Sequence, residues 1–245
     1  DGFFFRDQDV GVVGGGDRRG KGRGENKMGG FDDKGLIWVI GGLIASGICL
    51  EDMNKDHVSI HGNVVEVLCE ELRGRVNNLP GDLLAEAFVA VAVGGAAPVW
   101  NALDVIDIVG TTKMELPISR QGSKAASCRK ELLSLLLEAH STWTQRAEDA
   151  QPLADMVCAC ALSKETCGAE ELMQDQRVVL MLQDCGKRVA SIGPRTCCAL
   201  VSVLALRGML PSKPAFGEFV ANIAANKSKL SSRDLALALH AIARL

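Results

Sequence analysis

Tyrosine is absent from this chain, and only 4% of its residues are aromatic. Sheets draw on aromatic and β-branched residues to cover their pleated faces, so the shortage argues against a sheet protein. It also leaves few rings on which bases can stack. Proline is scarce, with seven residues, and several stand where helices are expected to begin. The apolar run Leu36–Leu50 has 15 residues, short of the roughly 20 that cross a bilayer. A strong charge of either sign is missing as well, the formal net charge being −3.

Catalytic patterns are missing in the same way. The chain has no Gly-x-Ser-x-Gly and no His-Glu-x-x-His, and its Gly14–Gly16 run is followed by no Gly-Lys-Ser/Thr. His57 and His61 have the i, i+4 spacing of a helix-borne zinc pair, but the acids near them are scattered, and a surface helix start is the simpler reading. Cys158 and Cys160 alternate on a helix and diverge, so with Cys167 they read as core and not as thiolate ligands. Adjacent acids such as Glu70 and Glu71, or Glu170 and Glu171, diverge in the same way. The chain reads as non-catalytic, with no cofactor and no metal.

What is present is leucine, alanine and valine. Hydrophobic residues make up 47% of the chain, and their spacing is helical, which predicts an all-α protein. Nine cysteines sit mostly inside apolar runs, as buried small hydrophobes of a reducing compartment. Residues 1–30 are rich in glycine and charge and lack apolar periodicity. They are expected to be a flexible arm, with Arg18–Arg23 a modest candidate for touching phosphates. The helical part is expected over 31–245. The absence of an initial Met and the helical pattern still running at Leu245 point to a processed or incomplete chain.

One segment recurs. Residues 78–94, 192–208 and 230–245 each open on a turn or capping residue (Pro80, Pro194, Ser232) and continue as a Leu/Ala/Val helix. Pro80 and Pro194 lie 114 apart, as do Gly94 and Gly208, whereas Pro194 and Ser232 lie 38 apart. A longer helix precedes each of these, at 57–75, 169–189 and 216–229, and 129–146 stands likewise before 151–164. Residues 32–47 read as a first helix of the repeated type, and 98–110 as a further helix before a loop. Hairpins whose apolar stripes need a neighbour predict an α-solenoid of stacked helical hairpins, right-handed in its winding.

The charge is unevenly spread. Residues 187–245 carry nine basic side chains against Glu218 and Asp234, a balance of +7, which leaves −10 on residues 1–186. A basic end of this kind suits a polyanion gripped by part of the chain. The expected contacts are Lys187, Arg188, Arg195, Lys227, Lys229 and Arg233, around two inter-helix turns. Arg195 and Arg233 are 38 apart and are expected to stand in one row.

The pairing of 219–229 with 230–245 resembles organellar helical-repeat proteins of the octotricopeptide or heptatricopeptide kind. It is also similar to the helical repeats that precede the RAP domain in FAST-kinase-like proteins. Leu230, Ser232, Asp234, Leu235, Ala238, Ala241 and Ala243 carry the likeness. So do Leu79, Pro80, Asp82, Leu83, Ala87, Ala90 and Ala92, and more loosely Ile192, Pro194, Leu200 and Ala205. The resemblance implies a mitochondrial matrix protein that binds organellar RNA, as a component of a mitochondrial ribosome contacting rRNA. The acidic part would then meet neighbouring proteins. Two other readings stand beside it: a protein-only scaffold or accessory subunit of a large mitochondrial assembly, and a subunit anchored in a membrane by 36–50.

Overall fold

The structure, a computed structural model, describes residues 31–45, 58–94, 102–103, 123–143, 149–163, 169–209 and 211–245. Expectations for the arm at 1–30, the Gly47 stop, most of 98–122, His57 and Cys167 lie outside the described residues, as does the His61 side chain. Every regular element among the described residues is helical. Ten helices follow in order: α1 (Asp33–Ala45), α2 (Val58–Arg75), α3 (Gly81–Val93), α4 (Ser123–Trp143), α5 (Gln151–Leu162), α6 (Ala169–Gln174), α7 (Gln176–Lys187), α8 (Pro194–Leu206), α9 (Lys213–Ala225) and α10 (Ser232–Arg244). None of them is long and apolar enough to cross a membrane.

The recurring segment is a recurring turn. After α2, α7 and α9 comes one 3₁₀ turn: Val76–Asn78, Val189–Ser191 and Lys227–Lys229. Each turn ends on an extended apolar residue, Leu79, Ile192 or Leu230. A 13-residue helix follows in every case. The turns lie 113 and 38 residues apart, and the prolines differ by one place: Pro80 is the N-cap of α3, while Pro194 is the first residue of α8. Gly94 is the C-cap of α3, whereas Gly208 comes one residue after the α8 C-cap, Arg207. Ser231, not Ser232, caps α10, through a capping box with Asp234.

Packing follows from composition. Helices α3, α5 and α8 are mostly apolar, with their charged residues gathered in the first two turns, and most of their residues are buried. Contacts run α1 to α3, α3 to α5, α5 to α8 and α8 to α10, so these repeat helices touch in chain order. The intervening helices lie against them: α2 on α1 and α4, α4 on α3, α7 on α5, and α9 on α8 and α7. The expected hairpin partners are therefore not the closest-packed pairs. Among the intervening helices, α3, α5 and α8 each pack most closely on one that follows them; before α3 and α8 the 3₁₀ turn and extended residue redirect the chain between the two members of an expected pair.

Candidate nucleic-acid interface

The N-terminal turn of α8 is held from several sides. Gln151 at the start of α5 accepts from the Gly193 N–H at 2.9 Å and donates to the Thr196 hydroxyl at 2.7 Å and the Asp155 carboxylate at 3.0 Å. The Ser191 hydroxyl accepts from Ala150 N–H at 3.0 Å, and Asn222 of α9 donates to the Val189 carbonyl at 3.1 Å. These bonds satisfy the turn's polar groups and fix the first residues of α8.

Arg195 stands second in α8, and Arg233 stands second in α10. The two helices pack together, so the expected equivalence of these positions is present. Arg195 reaches across to the next repeat helix, with Nε 3.4 Å from Oδ2 of Asp234. Asp234 is buried, and it also accepts from the Ser231 N–H at 3.3 Å within the capping box. Lys187 and Arg188 close α7, and both pair with Asp184, at 3.1 Å and 3.8 Å. Lys227 and Lys229 are exposed on the 3₁₀ turn before α10. The six residues thus fall on the α7–α8 and α9–α10 turns and the helix starts after them: Lys187, Arg188 and Arg195 are engaged with carboxylates of the fold, and Lys227, Lys229 and Arg233 are exposed.

Other cations that sequence counting treats alike do something else. Arg129 of α4 is 1% exposed and donates to the Val91 carbonyl at 2.7 Å, at the C-terminus of α3. Arg207 donates to the Ala161 carbonyl at 2.6 Å and the Ser163 carbonyl at 3.3 Å, at the C-terminus of α5. Both satisfy orphan carbonyls at the negative end of a helix dipole. Part of the +7 balance is therefore used inside the fold.

Sequence reasoning missed a cleft of about 440 Å³ along the same helix starts. Lys34, Asp82, Pro152 and Arg195 line it, each the second residue of its helix. Glu86 and Asp155 line it too. Burial raises both carboxyls above the usual range, Asp155 to about 6, because a carboxylate loses hydration there. The shared register was the available signal, since these positions coincide once the repeats are aligned by their starts. The edge is therefore acidic at α3 and α5 and basic at α8 and α10.

Most of the described thiols have no such surface, Cys128 being half-buried. Cys158, Cys160, Cys185, Cys197 and Cys198 are buried, and burial pushes every one upward, Cys185 and Cys197 to about 12. They pack as neutral small hydrophobes. Among the described residues no group of three or more His, Cys, Asp or Glu could hold a metal ion. No protein-family model, curated protein or solved structure matches the chain.

Proposed function

We propose that this chain is a non-catalytic helical-repeat protein that binds organellar RNA, built as an α-solenoid and serving as a structural component of a mitochondrial ribosome. The solenoid reading is supported by the ordered contacts α1–α3–α5–α8–α10 and the turn repeated before α3, α8 and α10. RNA binding is supported chiefly by one observation. Basic residues recur at the α7–α8 and α9–α10 turns, one repeat apart, and Arg195 and Arg233 occupy the same helical position on packed neighbours. The mitochondrial setting comes from the family resemblance alone.

Phosphates would be met by Lys227 and Lys229 on their turn, with Arg233 and Arg195 along the helix starts and Lys187 and Arg188 on the preceding turn. Contacts of this kind add affinity without reading sequence. Asp82, Glu86 and Asp155 farther along would repel phosphate, so the RNA track would end near α8 and leave the acidic part to proteins.

A salt titration of RNA retention tests this. Reversing Arg195 and Arg233 to Glu is expected to abolish retention at moderate salt. Because Arg195 also holds Asp234, the pair Lys227→Glu and Lys229→Glu serves as the variant that leaves the fold's own ion pairs intact. It is expected to flatten the log–log salt slope by about 0.7–0.9 for each phosphate no longer neutralised. Unchanged affinity and slope in both variants would remove the reading.

The second reading is the protein-only scaffold. It is favoured by Phe219, the fully buried aromatic of α9, which gives bases no platform, and by the carboxylates already engaged with Arg195, Lys187 and Arg188. Ribonuclease treatment of the native particle separates the two: release of the protein supports RNA contact, and retention supports the scaffold.

A further inference from the structure

Helices α2 and α4 lie side by side in a fixed register. Arg73 donates to Glu131 at 3.3 Å, and three residues earlier on each helix the Cys128 thiol donates to Oε1 of Glu70 at 3.7 Å. Both contacts join residues 58 apart, so the two helices run in the same direction, and a step along one is matched by a step along the other. Cys69 stands next to Glu70 in α2 and is 1% exposed. Its thiol is hydrogen-bonded to Cys128. A short relay therefore crosses the seam, from Cys69 to Cys128 to Glu70. Both thiols are free.

The two sulfurs differ in access. Cys128 is half-buried, whereas the other six described cysteines are buried. Among the described cysteines, a reagent in water therefore meets Cys128 first, and Cys69 is reached only through it. Charge sets the pace. Burial and the carboxylates of Glu70, Glu66 and Glu131 raise the Cys128 thiol. Burial, with Cys128 and Glu70 beside it, pushes Cys69 up to about 12, while Arg129 acts in the other direction. Thiols of this kind attack slowly at neutral pH, since little thiolate is present. They are also poor leaving groups, so a bond between them is slow to reopen once made.

We infer that Cys69 and Cys128 form a reversible modification site, at which exchange with a low-molecular-weight disulfide closes a Cys69–Cys128 bond and ties α2 to α4. Cys128 gives its proton to solvent, and its thiolate attacks one sulfur of the reagent, RS–SR. The reagent's bond breaks, one RS⁻ leaves, and RS stays on the Cys128 sulfur. Cys69 loses its proton in turn, attacks the Cys128 sulfur and expels the second RS⁻. The cysteine pair is oxidised by two electrons, and the reagent is reduced to two thiols once the protons are taken up. Neither RNA nor a neighbouring protein enters these steps, so the site stands apart from the nucleic-acid reading.

The probe is cystamine, a dicationic disulfide suited to the acids around Cys128, applied to the folded full chain. The reaction is stopped with acid, remaining thiols are alkylated in urea, and linked peptides are read by mass spectrometry. The expected product joins Cys69 to Cys128 with no cysteamine retained on either. Its rate is expected to rise about tenfold per pH unit between pH 7 and 9, as the thiolate fraction rises. The oxidised chain is expected to have a higher denaturation midpoint than the reduced one, because the link restricts the unfolded chain. Cys69→Ala is expected to stop with cysteamine held on Cys128, and Cys128→Ala to leave Cys69 unmodified. The wild-type product is informative even where a variant folds poorly. Cysteamine remaining on wild-type Cys128, with Cys69 alkylated, overturns the inference. So does a Cys69–Cys128 link that forms no faster in the folded chain than in urea, since contact within the fold is then not its cause.

Discussion

Asp155 and His140 are single residues on which burial acts with opposite signs. Asp155 is raised to about 6, so between its ordinary value near 3.8 and that value the folded chain binds more protons than the unfolded one. Stability from this group therefore falls as pH rises through the interval. His140 is fully buried and lowered to about 4 from 6.5, so the folded chain binds fewer protons there, and stability from it rises with pH. The two slopes oppose each other over nearly the same window and flatten the profile. Asp155→Asn keeps an acceptor for Gln151 and removes one slope. It is expected to raise stability by about 1–2 kcal/mol at pH 7, with the gain gone near pH 4. Thermal melts of both proteins across that range check it, and a gain independent of pH would refute the burial argument. Backbone geometry makes a second prediction at this scale. Gly94 has φ 71° and would drive a Cβ into the Ala45 backbone nitrogen, whereas Gly208 has φ 63° with open space around it. Gly208→Ala is expected to cost about 1 kcal/mol, the ordinary left-handed penalty. Gly94→Ala must also push α1 off α3, so it is expected to cost at least twice as much in a denaturant titration.

Among the elements, the repeated turn was legible and the pairing of helices was not. Pro80 and Pro194 announce helix starts through local chemistry that works in any context, whereas Ser232 is one place late, because Ser231 forms the capping box with Asp234. Which helix covers which is a different matter. Leu/Ala faces are interchangeable as far as spacing goes, so the packing of α3 on α4 in place of α2, or of α8 on α9 in place of α7, could not be read from periodicity. Charge counting failed at Arg129 and Arg207 for a related reason: an arginine that caps a helix C-terminus has the same letter as one that faces solvent. One boundary was missed outright. The expected helix 169–189 breaks at Asp175, which adopts an extended conformation and accepts the Arg177 N–H at 2.8 Å as the N-cap of α7. Its carboxyl is held below the usual range by the Arg177 guanidinium, 2.6 Å away. Asp175→Ala removes cap and pair together and is expected to cost about 1–2 kcal/mol. Asp175→Asn keeps a capping oxygen and is expected to cost less than half of that. Urea midpoints compare the two, and equal losses would place the stabilisation in the ion pair instead of the cap.

For the whole molecule, the question is whether the repeat helices form one indivisible core or a series of neighbours. A globular core couples each helix to most of the others, so removing one end exposes the centre and unfolds the rest. In a series, each unit depends on its neighbours, and stability is approximately a sum of unit and interface contributions. The contacts favour the second case, since α10 packs chiefly on α8, and α1 packs on α3 and α2. Truncation after Met209 removes α9 and α10 and uncovers α8, whose Cys198, Val201 and Leu204 are fully buried in the complete chain. The shortened chain is expected to keep helices α1–α8, with a helical signal reduced only by the missing segments. Its denaturation midpoint should fall, because α8 takes the terminal place with an apolar face in water. Hydrogen exchange should then show faster exchange in α8 and unchanged protection in α3. Loss of protection throughout α3 and α5 would mean that the two ends share one core, and the equivalence of Arg195 and Arg233 would then be local geometry with no repeat behind it.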